Sequence, residues 1–126
     1  MGQKSHADTS WLIALLNPED AHHTRALKEL DELNSAPSVS AFALAELLVN
    51  FELNEAVDIE STLTTLKSSL SSIVNLDSDI AIKSAQIRSN NKITLGDAII
   101  IATALSEKSK LLTFDKNMRS VYERIK

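Results

Sequence analysis

Four acids in this 126-residue chain stand where carboxylates could act together. Asp8 precedes the apolar segment Trp11-Leu-Ile-Ala-Leu-Leu16, and Glu46 is the only charge between Phe42 and Phe51. Asp97 follows Gly96 and enters the uncharged run Ala98–Leu105, while Asp115 directly follows Lys110-Leu-Leu-Thr-Phe114. Carboxylate oxygens without Cys or clustered His suit a hard cation, Mg2+ or Mn2+, better than Zn2+. An ion so held can activate water, neutralise charge growing on a phosphate and help a leaving oxygen, which are the needs of phosphodiester hydrolysis. In that chemistry Asp8 and Asp97 are candidates for direct ligation. Glu46 and Asp115 could ligate through water, hold a second ion or orient the nucleophile. Ser10 and Thr113 could donate hydrogen bonds to these carboxylates or to the scissile phosphate.

Each acid also has an ordinary reading. Asp8 can be an N-cap, Asp97 can complement a helix dipole from the first turn, and Asp115 can cap a turn at Lys116. Thr113 can be an ordinary strand residue. Glu46 is harder to explain away, because an otherwise apolar helix gains nothing by burying an unpaired carboxylate.

The elements that must position these acids follow from the patterning. Ala98–Leu105 is apolar on nearly every side, as expected of an interior helix, and Lys110–Phe114 reads as a strand lying against it. Trp11–Leu16 is helical with Ser10 or Asp8 as N-cap. Asn17, followed by Pro18 and Asp20, predicts the start of a second helix running to about Leu33. Ser38-Val39 predicts a short strand, and Ser40 caps a third helix from Ala41 to about Leu53. A fourth helix is expected from about Ala56 to Leu70, a strand over Ser72–Leu76, and a fifth helix from the Asp77 cap to about Asn90. Lys116–Ser120 reads as a turn or short helix, and Val121–Lys126 as a tail that could add an edge strand. Short β-runs alternating with helices predict an α/β fold, a mainly parallel central sheet with helices on both faces. Ligands gather at the carboxyl ends of such strands, where the four acids would meet.

Composition sets the outer limits. The length suits one domain over residues 1–126 with a sizeable core, and only five aromatics leave that core aliphatic. With no Cys, disulfides and thiolate metal sites are excluded, and a reducing, cytoplasmic setting is compatible. No apolar run approaches the roughly 18–20 residues of a membrane span, and no signal-peptide apolar region is expected. A net charge of −4 argues against a global nucleic-acid footprint, so any such contact must be local or metal-assisted. Lys83, Arg88, Lys92, Lys116 and Arg119 could position an RNA backbone near the loops flanking the acids, or form a solvated face. His22 and His23 are adjacent on a predicted helix and cannot share one ion from one face, so both read as surface residues. His6 says little alone, and Trp11 reads as core.

At this point the chain resembles a known family. Asp8-Thr-Ser10, Glu46 in Ala-Glu-Leu-Leu, Gly96-Asp-Ala-Ile-Ile-Ile-Ala-Thr-Ala104 and Leu112-Thr-Phe-Asp115 are similar, in order and approximate spacing, to the PIN-domain ribonucleases. The size and Pro18-Glu-Asp-Ala-His-His23 look most like VapC-type toxins of toxin–antitoxin pairs. No single motif is specific, but four in order cover nearly the whole chain. The resemblance implies a three-layer α/β sandwich and an acidic pocket binding Mg2+ or Mn2+. It further implies endonucleolytic cleavage of RNA and a small antitoxin that blocks the pocket. A basic antitoxin segment would suit an acidic pocket, and Phe51, Leu53 and Val57 offer apolar positions for a partner helix or a second copy, hence a homodimer. One departure stands out: the family's first Asp ends an apolar central strand, whereas Gln3-Lys-Ser-His-Ala7 is polar. Either the N-terminus is altered or that strand is short and poorly packed. Two rival readings remain: a receiver-like phosphoacceptor domain, which needs a Lys ending a late strand where this chain has Asp115, and a catalytically silent PIN-like binding module.

Overall fold

The computed structural model describes residues 3–53 and 58–126. Its strands are β1 (Ser5–Ala7), β2 (Ser38–Ser40), β3 (Ile73–Val74) and β4 (Lys110–Leu112). Its helices are α1 (Thr9–Leu16), α2 (His23–Glu32), α3 (Ala41–Glu52), α4 (Ile59–Ser69), α5 (Ser78–Asn90), α6 (Leu95–Ser106) and α7 (Lys116–Ile125). The strands make one parallel sheet in the order β3-β2-β1-β4. From β1 the chain steps outward through β2 to β3, then crosses to the far edge through α5 and α6 and enters β4. The topological switch therefore lies between β1 and β4, where open parallel sheets gather their ligands.

Alternation along β4 assigns the two layers. Leu111 packs with Ile80, Ile101 and Met118, so α5, α6 and α7 cover one face. Leu112 packs with Trp11, Val39 and Leu47, so the earlier helices cover the other. The α3 helix reaches both layers, through Ala43 and Leu47. The expected interior helix is α6, with every residue from Ala98 to Ala104 buried. It ends in a paired hydrogen-bond motif, Ser109 N–H to Ala104 C=O at 2.9 Å and Lys108 N–H to Leu105 C=O at 3.1 Å. Lys108 takes the left-handed conformation there, with φ of 53°, and turns the chain into β4.

Three expectations are corrected. The second helix starts at His23 rather than after Asn17. The Asn17 side chain accepts from Glu19 N–H at 3.0 Å and that of Asp20 from His22 N–H at 2.8 Å, so local side-chain bonds hold two turns where a helix was expected. The tail is helical throughout: Asp115 caps α7, and Met118, Val121 and Tyr122 form a buried stripe at helical spacing, so no edge strand forms. Phe51, expected on a partner surface, belongs to the core with Trp11 and Leu66, whereas Val49 and Leu53 are exposed. The fourth helix is seen from Ile59; Ala56 and Val57 lie outside the described residues.

The polar first strand does form, at the centre of the sheet, with Ser5, His6 and Ala7 all buried. Its polarity is matched on the Nδ1 side of His6, while Nε2 is buried without a partner. Ser38 Oγ donates to Glu107 Oε1 at 2.7 Å and lies 2.7 Å from His6 Nδ1, so the imidazole N–H supplies the second bond. Burial holds the His6 pKa down to about 4 despite the opposing charge of Glu107, so the ring is neutral near pH 7. A short strand joined through Ser38 to an imidazole and a carboxylate thus replaces the hydrophobic run that a central parallel strand ordinarily shows.

Candidate active site

Asp8 lies where β1 passes into α1. As the α1 N-cap it accepts from Trp11 N–H at 2.9 Å and from Ser10 Oγ at 2.8 Å, both on Oδ1. Thr113 Oγ1 donates to the other oxygen, Oδ2. The capping reading is thus correct as far as it goes, but a cap does not require a hydroxyl brought from 105 residues away. Burial raises the Asp8 carboxyl above its ordinary value. Thr113, the Trp11 amide and Ser10 pull it down, and the charge of Asp115 pushes it up again. A carboxylate offers about four acceptor positions, so three donors leave room for one further contact.

Thr113 is fully buried just beyond β4, outside the strand. Its hydroxyl also accepts from Asp115 N–H at 3.0 Å, and the Phe114 N–H donates to Ser10 Oγ at 3.2 Å. The segments after β1 and β4 are therefore laced together by Ser10 and Thr113, both singled out from the sequence. Asp115 itself is exposed and caps α7, accepting from Met118 N–H at 3.0 Å.

Asp97 stands in the first turn of α6, where Thr94 is the N-cap and accepts from Asp97 N–H at 3.1 Å. Its carboxyl is raised first by burial and next by the charge of Asp115. The Thr94 bond lowers it, and the charges of Glu46 and Asp8 add smaller upward pushes. The α3 and α6 helices meet closely at Gly96: a Cβ there would fall 2.6 Å from the Phe42 ring and 3.7 Å from Glu46 Oε2. Glycine thus admits the Phe42 ring and leaves the Glu46 carboxylate beside the start of α6. Glu46 is exposed, not buried as its apolar helix suggested, and Thr9 Oγ1 donates to its Oε1 at 2.7 Å, joining the residue after Asp8 to α3. Thr9 was read only as part of a motif; a hydroxyl next to a strand-ending acid was the signal to weigh.

The four acids thus come from four segments into one electrostatic neighbourhood. Among the described residues no group of three or more Asp, Glu or His is drawn together tightly enough to enclose an ion.

The basic residues divide. Arg88 and Lys92 line a cavity of about 690 Å³ that also includes Asp97, Asn91 and Asn117. Lys116 is exposed next to Asp115. Lys83 lies instead in a depression with Asp79, Leu105 and Ile125, toward the other end of α5. The Arg119 guanidinium donates to the Thr113 carbonyl and so braces the backbone that carries Thr113. Of the histidines, His23 bonds the Ala14 carbonyl at 2.7 Å, His22 stacks on Phe114, and His6 sits away from the acids beside Ser38 and Glu107. The receiver-like reading finds no Lys at the end of β4, where Thr113, Phe114 and Asp115 follow Leu112.

No curated protein is a significant match in sequence. Among solved structures, a toxin–antitoxin complex from Klebsiella pneumoniae has a chain 27% identical, covering 90% of this chain and 89% of its own, with a TM-score of 0.76. VapC20 of Mycobacterium tuberculosis, a toxin that cleaves the sarcin–ricin loop, is 15% identical with a TM-score of 0.78, covering 93% and 94%. FitAcB from Neisseria gonorrhoeae is 24% identical with a TM-score of 0.73, covering 94% and 93%. The last two likenesses concern the fold. In sequence, the PIN domain pattern runs from residue 7 to residue 124, from the end of β1 almost to the end of α7 and across all four acids, and this chain belongs to the PIN domain family.

Proposed function

We propose that the protein is a Mg2+- or Mn2+-dependent endoribonuclease and the toxin of a toxin–antitoxin pair. The observation that supports this reading is the gathering of Asp115, Glu46 and Asp8 around Asp97, whose carboxyl is raised first by burial and then by their charges, at the switch point of a PIN fold. Like charges gathered around one buried and one half-buried carboxyl, Asp8 and Asp97, favour a cation between them. Asp8 and Asp97 would hold it, with Glu46 and Asp115 contributing through water or orienting the nucleophile. When bound, the ion supplies an activated water and neutralises charge on the phosphate.

The chain's own groups do the positioning. Ser10, Thr113 and the Trp11 amide fix both oxygens of Asp8, and Thr9 fixes Glu46. Arg88 and Lys92, which line the cavity that reaches Asp97, would take RNA phosphates, and Lys116, exposed next to Asp115, would assist them. The Klebsiella relative is a toxin–antitoxin complex, which supports a small antitoxin as partner. An arginine-bearing antitoxin segment would match the acids in charge. The exposed Val49 and Leu53 at the end of α3 suit a second copy or a partner helix. No described helix is long and apolar enough to cross a membrane. An RNA substrate and the absence of Cys suit the cytoplasm.

The test is incubation of the purified protein with defined RNA in Mg2+, Mn2+ or EDTA. Cleavage in either metal, abolished by EDTA and by the product of an adjacent small gene, is the expected result. Undiminished cleavage in EDTA would remove the metal mechanism. Binding of RNA without cleavage in any metal would favour a silent PIN-like module, and a phosphoryl gain from acetyl phosphate would favour a receiver.

A further inference from the structure

Between Thr113, which bonds Asp8, and Asp115 stands Phe114, whose side chain is engaged in a second way. The His22 imidazole lies on the Phe114 ring with centroids 4.5 Å apart and planes 9° from parallel. The Arg25 guanidinium carbon is 5.6 Å from the same ring centroid. His22 remains open: its side chain is 51% exposed. Its backbone N–H is tied to Asp20 Oδ1 at 2.8 Å, so the loop that carries it is fixed. A flat, half-exposed ring is thus held on the residue before Asp115, with Arg25 over the same Phe114 ring and Asp20 Oδ1 3.8 Å from the imidazole Nδ1. Nothing in the core requires this, since Phe114 already packs against the cluster containing Trp11 and Leu12.

Single-stranded RNA is gripped in the way such a surface allows. Unpaired bases stack on aromatic or imidazole faces, while Arg takes a phosphate or adds a cation–π contact. We propose that His22, carried on Phe114, stacks the base of a nucleotide adjoining the scissile phosphate, and that Arg25 contacts the neighbouring backbone. His22 and Arg25 are then positioning residues for an unpaired stretch of RNA, on a segment separate from the Arg88–Lys92 cavity. Arg25 Nε lies 3.5 Å from Glu29 Oε2, a partly exposed pair that leaves the guanidinium other donors for phosphate. This assignment rests on the ribonuclease reading and adds the conformation of the substrate and the side from which it enters.

The experiment uses a single-stranded oligoribonucleotide cleaved by the parent, and copies made abasic at each position flanking the cut. KM and kcat are measured for the parent, His22→Ala and His22→Trp, with melting temperatures as a control for folding. For His22→Ala, KM is expected to rise about tenfold, the scale of one lost base stack, with kcat at saturation changing far less. His22→Trp should restore KM, because stacking needs a planar ring and not an imidazole. One abasic substrate should give parent and His22→Ala the same KM, which a merely structural role for His22 would not produce. Equal KM for parent and His22→Ala on intact RNA, or a tenfold difference that persists on every abasic substrate, overturns the proposal while leaving the nuclease reading intact. A parent that neither cleaves nor binds RNA overturns both.

Discussion

His6 and Asp8 are two residues apart on one side of a central strand's end, both are buried, and the fold treats them in opposite ways. Around His6 no like charges collect: Ser38 bridges Nδ1 of the imidazole to Glu107, the ring is held neutral, and only its Nε2 is buried without a partner. Around Asp8 the carboxylate has its donors, but Asp115 pushes on it as a further acid, and Asp97 is raised first by burial and then by the charges of three acids. A buried polar group that is satisfied locally serves the fold. A set of carboxylates that repel one another across an open site is costly unless something else arrives. Burial of polar residues alone would have made both ends look functional; the difference is that His6 is neutral whereas the acids face further charges of their own sign.

Breaking the acid end should give the largest effect. Asp8→Asn, Glu46→Gln, Asp97→Asn and Asp115→Asn are each expected to lower RNA cleavage at least about a hundredfold, the usual scale for a lost catalytic group, while the fold persists by circular dichroism. An Asp97→Asn variant that cleaves at the parental rate would show that Asp97 serves only the dipole of α6.

Acid should break the other end. The His6 pKa falls from 6.5 to about 4 on folding, so the unfolded chain binds more protons between those values. Stability is unaffected by this group above pH 6.5, declines as the pH falls, and is lower by on the order of 3 kcal/mol below pH 4. Urea midpoints for the parent and His6→Gln at pH 7, 5.5 and 4 check this; parallel loss of stability in both would remove His6 as the cause. Ser38→Ala tests the same network at constant pH. It leaves His6 Nδ1 and Glu107 without their shared partner and is expected to cost about 1–3 kcal/mol, with cleavage per folded molecule unchanged.

Asp97 should show the opposite sign. Its folded-state pKa is raised, so the folded chain binds more protons, and the penalty is absent below the ordinary value of 3.8 and complete above the folded value. Metal-free Asp97→Asn is therefore expected to melt higher than the metal-free parent at pH 7, with the difference vanishing near pH 3. Millimolar Mg2+ or Mn2+ should stabilise the parent more than the variant by binding linkage. A variant that melts lower without metal and gains equally from it would make the cluster structural. The smallest effect is expected at Lys108, where Gly would relieve a left-handed residue and raise stability by up to about 1 kcal/mol, read as a shift in urea midpoint.

Periodicity, caps and turn residues are local, and what depends on them was legible in the chain. Ser40, Asp77 and the Ala98–Ala104 run announced α3, α5 and α6, and alternation of short β-runs with helices announced a parallel sheet. Even the four acids could be picked out, because strand ends and apolar helices make a lone carboxylate conspicuous. Hidden were the features in which distant segments compensate one another. The Ser5–Ala7 segment is a central strand only because Ser38 and Glu107 arrive beside it, and no pattern within the segment contains them. Pro18–Asp20 missed its helix because two side chains bonded nearby backbone first. Thr9 holding Glu46, Gly96 admitting Phe42, and His22 lying on Phe114 exist only once α3, α6 and β4 have packed. The residue types that can do chemistry are a property of the chain, whereas which charges stay uncompensated is set by who meets whom across the sheet.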